Sequence, residues 1–240
     1  MGSKKKKEKA EPDSHRSSFR VNFESISYAV VLALFCRAFV AEAYKIPTSS
    51  MEPTLLIGDH LVVNKMIYSP ATSLETEITP LKSVQRGDII VFKSVADPAQ
   101  NIIKRVIGLP TESIRIEARQ IYIDGKPLDE PYAFYSSLDG EGASQALSRA
   151  SRDNMPETTI PEGHYFVMGD NRDNSYDSRF WGPLPGTLIR GRALLVYWSY
   201  EASSEEYLET NLWERVKDIG SVAIHFFSRT RWERFFQLAR

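Results

Sequence analysis

Three hydroxyl residues in a row, Thr48-Ser49-Ser50, lie inside a proline-bracketed stretch, Ile46-Pro47-Thr48-Ser49-Ser50-Met51-Glu52-Pro53-Thr54-Leu55. A serine hydroxyl is a weak nucleophile at neutral pH and does acyl-transfer chemistry only with a base beside it. The chain offers such a base in Lys104, within Asn101-Ile102-Ile103-Lys104-Arg105-Val106-Ile107-Gly108. A lysine of ordinary pKa, about 10.4, is almost wholly protonated at pH 7. Apolar flanks on both sides can bury the ammonium, lower that value and leave a neutral amine able to accept a proton. Ser50 as nucleophile and Lys104 as general base are therefore expected to form a Ser-Lys dyad. Two alternatives stand on residue type alone: Ser49 carries the same hydroxyl, and a lysine between isoleucines is more often a strand residue whose head reaches water.

The elements that must hold this pair are short β-like runs. Leu61 to Val63, Asp88 to Phe92, Ile102 to Ile107, Ile114 to Ile116, Gln120 to Ile123, Tyr165 to Met168 and Ala193 to Tyr197 are rich in Val, Ile and Tyr and bounded by Gly, Pro, Asp or Asn. This pattern predicts a mainly β domain over residues 44–200. Asp124-Gly125 between Ile121-Tyr122-Ile123 and Lys126-Pro127-Leu128 is a two-residue hairpin signal. Asp129 to Ile160 is polar, with Gly140, Gly142 and several serines, and is expected to be a loop or hairpin extension within an insertion at about residues 112–164.

Composition removes several function classes. Lys and Arg number 30 against 31 Asp and Glu, a near-balance that argues against a nucleic-acid partner. One cysteine, Cys36, excludes a disulfide within the chain. His15, His60, His164 and His225 show no ligand spacing, so neither a metal nor another cofactor is expected.

The charge is uneven along the chain. Lys4 to Lys7, Lys9, Arg16 and Arg20 make residues 1–22 a basic tail, expected inside the cell, and residues 23–43 form an apolar segment. Its uninterrupted part, Ile26 to Cys36, is short for a hydrocarbon core of about 30 Å, but Glu24, Arg37 and Glu42 stand near the ends, where charges reach the interface. A single membrane span is expected, with everything after it outside. A cleaved secretory leader is the alternative, since Ala41-Glu42-Ala43 fits a small-x-small cleavage site; Arg37 and the long basic region count against it. Residues 201–240 are expected to form an amphipathic C-terminal helix, in which Val222, Phe226, Trp232, Phe235, Phe236 and Leu238 interleave with Arg229, Arg231, Arg234 and Arg240. Such a helix packs on the β domain or rests on anionic lipid.

A further stretch, Met168-Gly169-Asp170-Asn171-Arg172-Asp173-Asn174-Ser175-Tyr176-Asp177-Ser178-Arg179-Phe180-Trp181-Gly182, follows Ser50-Met51-Glu52-Pro53-Thr54-Leu55, Arg86-Gly87-Asp88 and Lys104-Arg105. In sequence and order these elements resemble bacterial type I signal peptidase, from roughly Ala43 to Ser199. The resemblance implies an antiparallel β catalytic domain behind a retained transmembrane anchor in the bacterial inner membrane, with the domain on the extracytoplasmic face. It selects Ser50 over Ser49, and it implies that Ser175 hydrogen-bonds the Lys104 amine. The Ser50 backbone N–H and the Thr48 hydroxyl would stabilise the oxyanion; relatives often carry serine at the Thr48 position. Asp177 and Arg179, two apart on an expected extended segment, would pair and brace that loop, with Asp170, Asn171 and Arg172 holding its shape.

The implied substrates are exported preproteins, cut after small-x-small sites. Their partners here would be Tyr44, Ile46, Pro47, Met51, Leu55, Ile102 and Ile103, whereas Leu61 and Val91, which also match pocket positions, fit the core better. Ile46 and Pro47 also offer an extended edge to which substrate can add as a strand. The expected partners are preprotein signal peptides, the bilayer and the secretion translocon. A different class, a membrane-tethered β module that binds without catalysis, would be marked by a missing nucleophile or base, and both are present.

Overall fold

The computed structural model describes residues 18–66, 83–136, 152–201 and 225–240. Most of the basic tail, the middle of the polar insertion and the first part of the C-terminal segment lie outside these residues.

The chain divides into two compact units, Met1–Val40 and Ala41–Arg240. In the first, α1 (Ser18–Phe35) passes into a wider π turn over Cys36–Val40. Arg20–Ala38 is long and apolar enough to cross a membrane, 19 residues with a mean hydropathy of 1.3. Ile26, Val31, Leu32 and Leu34 on it are exposed. The helix ends before the expected limit of residue 43, because Ala41-Glu42-Ala43 begin a strand. Pairing of Ala41 with Asn64 and of Ala43 with Val62 satisfies their backbone groups, and Glu42 meets Lys65 at 3.4 Å.

The second unit holds the strands β1 (Ala41–Lys45), β2 (Asp59–Asn64), β3 (Ile89–Lys93), β4 (Asn101–Gly108), β5 (Ser113–Glu117), β6 (Gln120–Ile123), β7 (Lys126–Pro127), β8 (Met155–Thr159), β9 (His164–Met168), β10 (Leu184–Pro185), β11 (Ile189–Ser199) and β12 (Gln237–Leu238). The larger sheet runs β1-β2-β11-β3-β4-β9-β10, with β12 added on β11. The smaller runs β7-β6-β5-β8, and its strands come from the insertion. Asp124 and Gly125, both at positive φ (49° and 74°), close β6 on β7, the backbone that a two-residue hairpin turn requires.

Side chains alternate across a strand, and β3 is buried on both faces, which is why it reads as an unbroken apolar run. Ile89 and Val91 pack with Ile46, Met51, Leu55, Leu61 and Val196. Ile90 and Phe92 pack with Val106, Val167 and Leu184. A third cluster, around Ile107, Ile114, Ile121 and Phe166, joins the small sheet to the large one.

The C-terminal segment departs from the expected helix at Thr230. Among the described residues helix covers 225–229 and stops there, after which come a Tyr200–Thr230 bridge, a 3₁₀ turn at Trp232–Arg234 and β12. Polar anchors account for the change. Arg234 pairs with the fully buried Asp59 at 2.6 Å and 3.1 Å, Arg231 donates to Ile57 O at 2.9 Å, and Leu238 lies opposite Leu195. A buried carboxylate that needs a cation outweighs the weak preference of a short segment for helix.

Candidate active site

Ser50 sits in a 3₁₀ turn, Ser49–Met51, pinned from beneath by apolar burial. Met51 and Leu55 are 2% and 1% exposed, and burying each contributes about 2 kcal/mol relative to exposure. The turn is also held from the loop that follows β9. Asn171 N–H donates to Ser50 O at 3.1 Å and its Nδ2 to Ser49 O at 3.2 Å. The two serine hydroxyls then take different partners: Ser49 Oγ accepts from Asn174 Nδ2 at 2.6 Å, and Ser50 Oγ meets Lys104 Nζ at 2.6 Å.

Strand β4 delivers Lys104 with only 3% exposure. Burial lowers its pKa to about 8, the nearby Arg179 cation adds to the fall, and Asp177 and Asp170 oppose it. The result is an amine that is partly neutral near pH 7 and in contact with a serine hydroxyl.

The loop residues divide their work differently from expectation. Ser175 Oγ donates to Asp177 Oδ2 at 2.6 Å and accepts from Gly169 N–H at 3.2 Å, so it serves the carboxylate rather than the Lys104 amine. The cause is the complete burial of Asp177, whose charge needs every donor within reach. Arg179 meets that carboxylate with Nε and Nη2, both at 2.9 Å. Burial pushes the Asp177 carboxyl up, but the bonds and charge of Arg179, with Ser175 and Gly169, hold it below the usual range. The expected Asp177–Arg179 pair therefore forms, though on a helix start: Asp177 is the N-cap of a one-turn helix, Ser178–Trp181, and accepts from Arg179 N–H at 3.2 Å.

Thr48 precedes the turn with extended backbone, is exposed, and its hydroxyl makes no capping bond. Of the expected substrate-contacting residues, Tyr44, Pro47 and Ile103 keep partial exposure. Ile46, Met51 and Leu55 are core, at 3%, 2% and 1%. Ile102 packs in a different cluster, with Ile90 and Phe92.

Sequence reasoning missed Gly169 and the segment Glu130–Phe134. A Cβ added at Gly169 would lie 2.4 Å from both Ser50 O and Ser175 Oγ, so only glycine lets the Ser50 turn and the loop approach. Neither a spacing rule nor a turn signal marks that contact in the sequence. Among the described residues no group of three or more His, Cys, Asp or Glu is arranged to hold a metal ion.

An antiparallel β domain with a serine hydroxyl against a buried lysine amine has the components of a serine hydrolase. The chain matches the family "Signal peptidase, peptidase S26" over residues 20–198. It is 37% identical over 195 residues to signal peptidase I of Pseudomonas aeruginosa, covering 70% of this chain and 69% of that one. Signal peptidase I of Leptolyngbya laminosa is 40% identical over 182 residues, covering 73% and 77%. A crystal structure of a signal peptidase I from Enterococcus faecalis V583 is 33% identical, with a TM-score of 0.34 over 46% of this chain and 97% of that one. The chain belongs to the signal peptidase family, S26, and is thereby a peptidase.

Proposed function

We propose that this chain is a membrane-anchored serine endopeptidase that removes N-terminal signal peptides from exported preproteins after small-x-small sites. The observation that carries the reading is the 2.6 Å contact between Ser50 Oγ and the Nζ of a lysine buried enough for its amine to be partly neutral at working pH. Ser50 Oγ attacks the scissile carbonyl as Lys104 Nζ takes its proton. The ammonium so formed returns the proton to the leaving amine, the new N-terminus of the mature protein. Water, deprotonated by the same amine, then cleaves the acyl-enzyme and frees the signal peptide. The Ser50 N–H and the Thr48 hydroxyl are the donors assigned to the oxyanion, and such a donor contributes about 10²–10³ in rate.

Substrate selection is assigned to the exposed parts of Tyr44, Pro47 and Ile103, with buried Ile46, Met51 and Leu55 forming the floor beneath them. β1 is an edge strand of the larger sheet, and the chain continues from it through Ile46 and Pro47 to the nucleophile. An extended peptide can add along such an edge through main-chain bonds. The apolar helix is read as the anchor, with the N-terminus cytoplasmic and the catalytic unit on the outer face of the inner membrane. Because Ser50 follows that helix by few residues, the tether keeps cleavage at the membrane surface, where the translocon delivers signal peptides.

The test is cleavage of a preprotein carrying an Ala-x-Ala site, by the full chain in detergent, with the cut mapped by mass. Cutting after the second alanine, abolished when that alanine becomes aspartate, is the expected result. Cutting elsewhere, or with indifference to that substitution, overturns the specificity.

A further inference from the structure

Residues Glu130 to Phe134 have no part in the reaction as proposed, yet their polar groups converge on the loop that carries the Ser50 turn. Phe134 N–H donates to Asp170 O, and Arg172 N–H donates to Phe134 O, both at 2.8 Å, with Asn171 between them in a parallel bridge. Below this ladder the Glu130 carboxylate takes both ends of the Arg172 guanidinium, Oε1 at 2.6 Å and Oε2 at 3.0 Å. The two side chains are 7% and 1% exposed. Arg172 Nε in turn donates to Gly169 O at 3.1 Å. The Tyr132 hydroxyl donates to Glu130 Oε1 at 3.3 Å, and its ring carries the Arg105 guanidinium 4.0 Å from its centre.

These contacts all lead to the same short loop. Asn171, whose backbone and side chain hold Ser50 O and Ser49 O, has both neighbours fixed from the far side by the Glu130–Phe134 segment. We infer that Glu130 is a positioning residue for the peptidase reaction: through Arg172 it fixes the Gly169–Arg172 loop on which the nucleophile turn and the Asp177 carboxylate rest. A buried ion pair adds little net stability, because desolvation offsets most of the attraction. What it does supply is a two-pronged geometry, and a misplacement of about 1 Å at a reacting centre costs about 10²-fold in rate.

The inference rests on Ser50 and Lys104 being the reacting pair, and one experiment separates the two. The full chain in detergent is assayed as wild type, Ser50→Ala, Glu130→Gln and Glu130→Ala, with kcat, KM and the thermal midpoint measured for each. Glu130→Gln keeps one acceptor and the shape, so kcat per folded molecule falls about tenfold, and Glu130→Ala falls further, toward about 100-fold, with KM within about twofold in both. A purely structural pair would lower the thermal midpoint and leave kcat per folded molecule unchanged. A kcat within twofold of wild type in folded Glu130→Gln therefore overturns the assignment. Should Glu130→Ala fail to fold, Glu130→Gln alone carries the test. Wild-type cleavage that persists in Ser50→Ala would instead remove the reading beneath it, and this inference with it.

Discussion

Arg105 and Asp170, 65 residues apart in sequence, meet in a two-pronged ion pair with Nε–Oδ1 at 2.8 Å and Nη2–Oδ2 at 2.6 Å, their side chains 3% and 0% exposed. Arg105 follows Lys104 on β4, and Asp170 follows Gly169, so the pair fastens the strand that bears the Lys104 amine to the loop that holds the Ser50 turn. The same guanidinium donates to Gly87 O at 2.9 Å, which ties the Arg86-Gly87-Asp88 turn to the site. Asp170→Ala leaves a buried cation without its partner and is expected to destabilise the fold by about 3–5 kcal/mol. Urea denaturation at pH 7 checks this, and a loss below 1 kcal/mol would contradict it.

With Lys104 as the proposed base, its lowered pKa is expected to act on activity and on stability in different pH ranges. With a value of about 8, about a tenth of the amine is neutral at pH 7, so kcat/KM is expected to climb about tenfold from pH 6 to 7 and to level off above 8. A profile flat across that range would exclude Lys104 as the base.

For stability, the unfolded lysine titrates at its ordinary 10.5 and the folded one near 8. Between these values the unfolded chain holds a proton that the folded chain lacks, so this group makes stability rise with pH there. Below pH 8 the folded state carries the whole cost of the buried ammonium, about 3 kcal/mol for a gap of this size. Lys104→Met is therefore expected to be inactive and more stable than wild type at pH 7, with the advantage shrinking toward pH 10.5. Denaturant midpoints at pH 7 and 10 measure the difference, and equal gains at both would contradict this cause.

Gly169→Ala tests the close approach of the loop to Ser50. The methyl group, 2.4 Å from Ser50 O and from Ser175 Oγ, must push the Ser50 turn and the loop apart. Activity is expected to fall by about 100-fold or more, with only a modest loss of folded protein. Near-normal kcat would mean that the turn has room to shift without consequence.

The strands are legible in the sequence because each has a local signature, and the candidate pair, Ser50 and Lys104, through its flanking residues together with the family resemblance that selects Ser50 over Ser49. Period-2 patterning marks β5 and β6, a continuous apolar run marks β3, and small hydroxyl residues beside prolines mark the Ser50 turn. Contacts made between distant segments had no such mark. Glu130 looks like any surface glutamate until Arg172 arrives beside it, and the Ser175–Lys104 bond that the family resemblance implies gives way to a bond to Asp177, whose burial the sequence does not reveal. The aromatic and arginine pattern after Glu201 suggests a helix to the end. Arg234 is instead drawn to Asp59, a partner 175 residues earlier that local periodicity cannot register.

That C-terminal region presents Phe227, Phe236 and Trp232 at 80%, 72% and 47% exposure, with Phe227 stacked on Trp232. Exposed aromatics among arginines suit the headgroup boundary of an anionic bilayer. The Ala41–Arg240 unit is expected to co-sediment with vesicles containing phosphatidylglycerol, and Phe227→Ser with Phe236→Asn to weaken that binding several-fold. Truncating the segment is a poorer test, because it would also remove Arg234 from Asp59. Unchanged binding by the double variant would rule out this surface as the lipid contact.

The proposed mechanism turns on which hydroxyl reacts and which group takes its proton. Single-turnover cleavage of a preprotein by wild type, Ser49→Ala, Ser50→Ala and Lys104→Ala, each checked for folding by circular dichroism, tests both at once. Ser49→Ala should stay within about tenfold of wild type, while Ser50→Ala and Lys104→Ala should each lose at least about 10³-fold, the two acting as one unit. Cleavage that survives in folded Ser50→Ala or Lys104→Ala, or that disappears only in Ser49→Ala, would contradict the Ser50–Lys104 mechanism.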